Sequence, residues 1–174
     1  MQQAAVPGYR LSRSRHSTKI LTSLGLVGLF LGLLSAALLT LSRTGITPSE
    51  VNRYYRGEAV AAGSLDQLMA EIPVRRSFAE LADVTHLHLT GGSILLFLLC
   101  HLLALCDISE RLRITLYLVG FLSFITTFAS PWLIVYLSPK FAWLFGPAIV
   151  TFICSLFCLM VLPLKEMWCS SASK

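Results

Sequence analysis

Charge is what this sequence has least of. Only 13% of its 174 residues are Asp, Glu, Lys or Arg, against about 25% in an ordinary soluble domain, so polar surface is too scarce for water to solvate the whole fold. Five cysteines are present, but none falls between residues 42 and 83, the long polar stretch where a disulfide framework would be needed. The chain also lacks a Gly-x-Ser-x-Gly elbow, a phosphate loop and a His-Glu-x-x-His pair, which sets aside the hydrolases and nucleotide enzymes built on them. No carboxylate pair sits in the middle of an apolar run, as a proton-coupled transporter requires, and no half of the chain repeats the other.

What is abundant is apolar length. Hydrophobic residues make up 55% of the chain, and they concentrate in runs at about 20–41, 84–105, 114–137 and 141–162. Each run is long enough to cross about 30 Å of hydrocarbon as a helix. The expected fold class is an all-α, four-helix transmembrane bundle forming one domain. Polar tails take 1–18 and 163–174, and a loop takes 42–83. The first run exceeds a secretory h-region, so it reads as an uncleaved signal anchor. Ser138-Pro139-Lys140 is too short to separate the last two runs, so they must be antiparallel neighbours. Pro131 and Pro147 lie inside those runs, where each removes a backbone donor and frees a carbonyl for another partner.

The 42–83 loop has local order written into it. Thr47-Pro48-Ser49-Glu50, Ser64-Leu65-Asp66-Gln67 and Ser77-Phe78-Ala79-Glu80 each place a hydroxyl at an N-cap with a carboxylate or amide three residues on. Short helices are therefore expected at 48–56, stopped by Gly57, and at 65–71, before Pro73. A third start at Ser77 should run straight into the second membrane helix, spanning about 78–105.

The net charge of +5 reads as a topology signal and not as a nucleic-acid surface. With the N-terminus inside, eight basic residues face three acidic ones on the cytoplasmic side, whereas the outer loops hold six of each. Basic excess marks the cytoplasmic side, so both termini are expected there.

Chemistry-bearing side chains gather on one helix. His86, His88 and His101 all fall in the second membrane run, and ligand-type residues in such helices are functional candidates by default. On an ideal helix His86 and His101 are about 22 Å apart along the axis and about 60° apart around it, while His88 is offset from His101 by about 140°. The first two therefore share a face and could each offer a neutral ring nitrogen to haem iron. Glu80, Asp83 and His86 recur at spacings of three, a nitrogen-plus-carboxylate set suited to a transition metal, with His88 close by. First-turn acidity complementing the helix dipole explains the two carboxylates equally well. Arg53-Tyr54-Tyr55-Arg56-Gly57 suits lipid headgroups, a quinone head or a partner, and also an interfacial anchor. Trp132, Tyr136 and Trp143 read as an aromatic belt. Cys154 and Cys158, one turn apart, read as packing residues.

The pair His86 and His101 resembles the paired histidines of membrane-embedded b-type cytochromes, with one extra residue between them. That resemblance implies haem b and electron transfer between a membrane carrier such as quinone and an outer-face redox protein. Those cytochromes take the opposite ligands from a second helix, and here the other three runs hold no histidine, so a homodimer or a partner subunit would have to supply them. Met160 is the other ligand-type residue in a run. Thr47-Pro48-Ser49-Glu50-Val51-Asn52-Arg53-Tyr54-Tyr55-Arg56-Gly57, His86-Leu87-His88-Leu89 and His101-Leu102-Leu103 are also similar to a family of small bacterial four-helix inner-membrane proteins. This second resemblance implies the architecture and an inner-membrane location, and no activity. The function class that competes with electron transfer is an assembly or scaffold subunit whose loop docks a partner.

Overall fold

The computed structural model describes residues 11–57 and 74–169. Among them the fold is all helix. A 3-10 turn at Leu11–Arg13 leads into α1 (His16–Arg43), followed by α2 (Pro48–Arg56), α3 (Phe78–Ala104), α4 (Glu110–Trp132) and α5 (Ala142–Cys169). Four stretches are long and apolar enough to cross a membrane: His16–Arg43, Phe78–Ala104, Glu110–Leu137 and Pro139–Cys169. The short helix expected at 65–71 lies outside the described residues.

The caps form as their chemistry requires. Thr47 Oγ1 accepts from Glu50 N–H at 3.4 Å while Glu50 Oε2 accepts from Thr47 N–H at 3.1 Å. Ser77 and Glu80 repeat the exchange at the start of α3. Gly57 ends α2 at φ 77, a conformation that a side chain would strain. α5 continues through Pro163 to Cys169, beyond the apolar limit at 162, because that proline is buried among neighbours and the last two turns pack as well.

The firmest packing is between α4 and α5. Gly120 of α4 lets Leu96, Ser155 and Leu159 approach closely, and Ser123, Thr127 and Ser130 turn their hydroxyls back onto carbonyls of their own helix. In lipid those internal bonds leave the interface without unsatisfied donors. Phe124, 1% exposed, stands at the centre, flanked by Phe128 and Phe152 at 5.2 and 5.3 Å.

Both described ends of the chain lie at one end of the bundle, here the terminal end. Lys19 Nζ donates to Met167 O at 2.6 Å, Trp168 Nε1 to Ser23 Oγ at 3.0 Å, and Leu11 N–H to Leu105 O at 3.2 Å. At the opposite, loop end, α4 passes Pro131 and widens into a π-helical turn at Leu133–Leu137. A π turn leaves carbonyls without helical partners. Arg56 donates to Ile134 O at 3.0 Å and Arg75 to Val135 O at 2.7 Å, while Asn52 reaches Pro139 O at 3.1 Å. These bonds and a small apolar core of Val51, Ile134, Ala142 and Phe145 seat α2 on the loop end.

Candidate functional site

The three histidines of α3 separate. His86 and His101 are exposed and lie on the side of α3 away from its neighbours. His101 lies parallel to Phe97 at 6.3 Å, and His86 makes no hydrogen bond among the described residues. His88 points the other way. Its ring stacks on Phe128 at 4.9 Å, and Nδ1 is 2.8 Å from Val84 O. A carbonyl only accepts, so Nδ1 carries the hydrogen in this contact and Nε2 takes no part in it.

The carboxylates do not converge with the histidines. Glu80 Oε2 accepts from Ser77 N–H and Oγ–H at 2.7 and 2.9 Å, and Oε1 meets Arg76 Nη1 at 3.0 Å. It is occupied as a cap and an ion-pair partner. Asp83 is exposed. Among the described residues no three His, Cys, Asp or Glu side chains gather closely enough to hold a metal ion.

What the fold does assemble is a cavity of ≈ 770 Å³ bounded by α1, α3, α4 and α5, with α2 at its loop end. Lining residues run from Glu80 to Leu99 on α3, from Phe145 to Met160 on α5 and from Gly28 to Arg43 on α1. At 1.5 Å per residue these spans are about 22–28 Å, so the space is elongated along the helices. The space is a slot along the membrane normal. Leu29, Leu39, Val84 and Leu87 line it yet are 38%, 51%, 52% and 69% exposed, which makes them a rim that opens sideways between α1 and α3.

Sequence reasoning missed the wall that makes this slot. Gly28, Gly32 and Ala36 recur every four residues on α1, a spacing that ordinarily brings helices into close contact. Here a Cβ added at Gly28 or Gly32 would find nothing within 4 Å. α1 is tied to α5 near the terminal end, and at the loop end the segment after it crosses Gly146, where Ile46 O would be 2.7 Å from an added Cβ. Between those ties Leu26 and Leu33 pack on the core and Phe30 meets Phe157 with ring centroids 6.4 Å apart, while the side that carries Gly28 and Gly32 meets nothing within 4 Å. The spacing was visible in the sequence, but not the absence of a partner. Gly92, by contrast, is accounted for by packing, since a Cβ there would lie 2.6 Å from Phe124.

The slot is apolar through most of its length and polar at the loop end, where Arg43, Thr44, Tyr54, Tyr55, Arg76 and Glu80 meet. The Tyr54-Tyr55 pair belongs to the fold: Tyr55 packs edge-on against Phe145 at 5.9 Å, and the Arg76 guanidinium lies 4.6 Å over Tyr54. Burial pushes the Tyr55 hydroxyl well above the usual phenol range, with the Tyr54 ring adding to the rise. His88 lies about two turns deeper, and Met160 lines the far end.

Residues 45–174 match a family model described as a transmembrane helical domain. The match takes in α2 to α5, three walls of the slot and most of its polar end, and leaves α1 outside. No curated protein and no solved structure matches the chain.

Proposed function

Since the chain belongs to that family of transmembrane helical domains, we propose that it is a multi-pass membrane protein that binds a chain-bearing amphipathic molecule drawn sideways from the bilayer. The observation that carries this is the slot: long, apolar along its length, polar at one end and open between α1 and α3. Such a shape suits a hydrocarbon or isoprenoid tail with its head among Arg43, Tyr54 and Arg76. The unfilled stripe of Gly28, Gly32 and Ala36 is what keeps room for the tail. The distribution of basic residues supports a loop end outside and both termini in the cytoplasm, and the resemblance to bacterial four-helix proteins supports an inner-membrane location.

Filling the slot tests this. Gly32→Phe adds a ring where nothing lies within 4 Å. Native mass spectrometry of the wild-type protein in a neutral detergent should show a lipid-sized adduct, and Gly32→Phe should lose it while melting at the wild-type temperature. An adduct that persists at full occupancy in the filled variant refutes the reading.

A second reading is electron transfer through b-type haem. It is favoured by the outward placement of His86 and His101 on one side of α3 and by the fixed Nδ1 of His88, which leaves Nε2 as a possible iron ligand. The fit within one protomer is incomplete, because no second imidazole converges on any of the three among the described residues. A second copy or a partner subunit would have to supply the opposite ligand, and a quinone in the slot would be the membrane carrier. Haem would contribute a one-electron couple, and the chain's own part is to hold the ring nitrogens in place. Purified protein from haem-sufficient cells should then show a Soret band that weakens in His101→Ala or His88→Ala. A colourless preparation ends this reading and leaves the slot untouched.

A further inference from the structure

We propose that the amphipath in the slot carries an anionic head, a phosphate or a carboxylate, held between Arg43 and Arg76; this rests on the slot being a ligand site at all. Three observations at the loop end point to an anion.

The first is the charge balance. Arg43 and Arg76 line the slot there, and Glu80 is the one acidic side chain among the lining residues. Both Glu80 oxygens are already committed, to the Ser77 cap and to Arg76 Nη1. Arg43 forms no ion pair among the described residues. Its position in the last turn of α1 complements the helix dipole, which explains a cation on that turn but supplies it with no counter-ion. Among the described lining residues the polar end therefore carries two positive charges and one negative.

The second is an unsatisfied donor. Arg76 Nε is buried with no hydrogen-bond partner. The guanidinium is otherwise well fixed: its backbone N–H donates to Tyr55 O at 2.9 Å, Nη1 pairs with Glu80, and its face rests on Tyr54. Nε itself is enclosed, but the side chain as a whole is 36% exposed, so an acceptor can meet the guanidinium at its open edge. Carboxylate and phosphate oxygens match a guanidinium edge, with two parallel bonds where a neutral carbonyl makes one.

The third is the geometry of tail and head together. Thr44, 7% exposed, also lines the polar end, and the open stripe of α1 begins about two turns below it. A head between Arg43 and Arg76 would direct its chain along Ala36, Gly32 and Gly28, the surface where an added Cβ at either glycine meets nothing. A zwitterionic head brings its own cation to a site already in cationic excess. A neutral head leaves the excess uncompensated.

The test uses the full chain in a neutral detergent and four probes with the same C18 chain: a lysophosphatidic acid, a fatty acid, a monoacylglycerol and a lysophosphatidylcholine. Their affinities are read by native mass spectrometry titration. The phosphate or carboxylate probe should bind at least tenfold more tightly than the neutral and zwitterionic ones. Arg43→Gln should bring the ratio of anionic-probe to monoacylglycerol affinity down toward one, and Gly32→Phe should abolish binding of all four. Arg76→Gln should act like Arg43→Gln. If loss of the Glu80 contact destabilises it, Arg76→Lys, which keeps the charge but not the two-bond edge, should retain carboxylate binding at reduced strength. Preference for the phosphate probe alone assigns a phospholipid-type head, and equal preference for both anions assigns a simple anionic site. If all four probes bind equally and Gly32→Phe abolishes them, the anionic head is refuted and the slot stands. If no probe binds, or Gly32→Phe leaves binding intact, both fall.

Discussion

Two adjacent glycines on α3 give opposite expectations for one added methyl group. At Gly92 the new Cβ would lie 2.6 and 2.8 Å from two ring atoms of Phe124, distances that packed atoms do not tolerate. That ring is 1% exposed and packed against Phe128 and Phe152, so it can yield only toward the slot it lines, giving up those contacts. Overpacking of this kind costs about 1–3 kcal/mol. In a chain of this size each kcal/mol moves the melting temperature by about 2–4 °C, so Gly92→Ala should fall by roughly 2–12 °C. At Gly91 an added Cβ meets nothing within 4 Å, and Gly91→Ala should melt at or above the wild-type temperature. Thermal unfolding in one detergent, followed by circular dichroism or a thiol-reactive dye, measures both. A double-mutant cycle with Phe124→Leu should show strong coupling to Gly92→Ala and none to Gly91→Ala. Equal shifts at the two glycines, or no coupling at Phe124, would refute the packing argument and with it the position of the α3–α4 wall of the slot.

Val51 is 0% exposed beneath α2, so Val51→Ala should weaken the docking of that helix by roughly 2 kcal/mol; hydrogen exchange should lose protection over Pro48–Arg56 before any membrane helix does, and unchanged protection there would count against the docked position. Hydrogen bonds from Thr47 hold the Glu50 carboxyl below the usual carboxylate range. Because the folded value is the lower one, the stabilisation is complete above the unfolded value and is lost as pH falls through the folded one. Protection in the first turn of α2, taken against the intrinsic exchange rate at each pH, should therefore fall in acid, and Glu50→Gln should abolish that pH dependence of protection. Burial pushes the Cys106 thiol up to about 11, with Glu166 adding to the rise and Arg113 opposing it. At pH 8 its thiolate fraction is then on the order of one in a thousand, so maleimide should label exposed Cys169 long before Cys106, and comparable rates would show that the α3–α4 turn is open.

Four spans, the capping boxes at Thr47 and Ser77 and the antiparallel last pair were legible because each depends on chemistry within a few residues of chain. Lipid offers backbone groups no partners, so a long apolar run has to close its own hydrogen bonds as a helix whatever surrounds it. The direction in which each helix faces was not legible. Apolar residues cover α3 on nearly every side, so composition does not say whether His88 or the pair His86 and His101 turns inward. The packing of Gly92 onto Phe124 fixes that rotation, and it brings His88 to the slot while leaving the other two outside. The same holds for α1, whose glycine spacing reads as a helix contact in sequence and becomes an open wall because its contacts with the bundle, Leu26, Phe30 and Leu33 among them, lie on another side of the helix. Rotation and separation of helices are set by residues far apart in the chain, and that information exists only once the chain has folded.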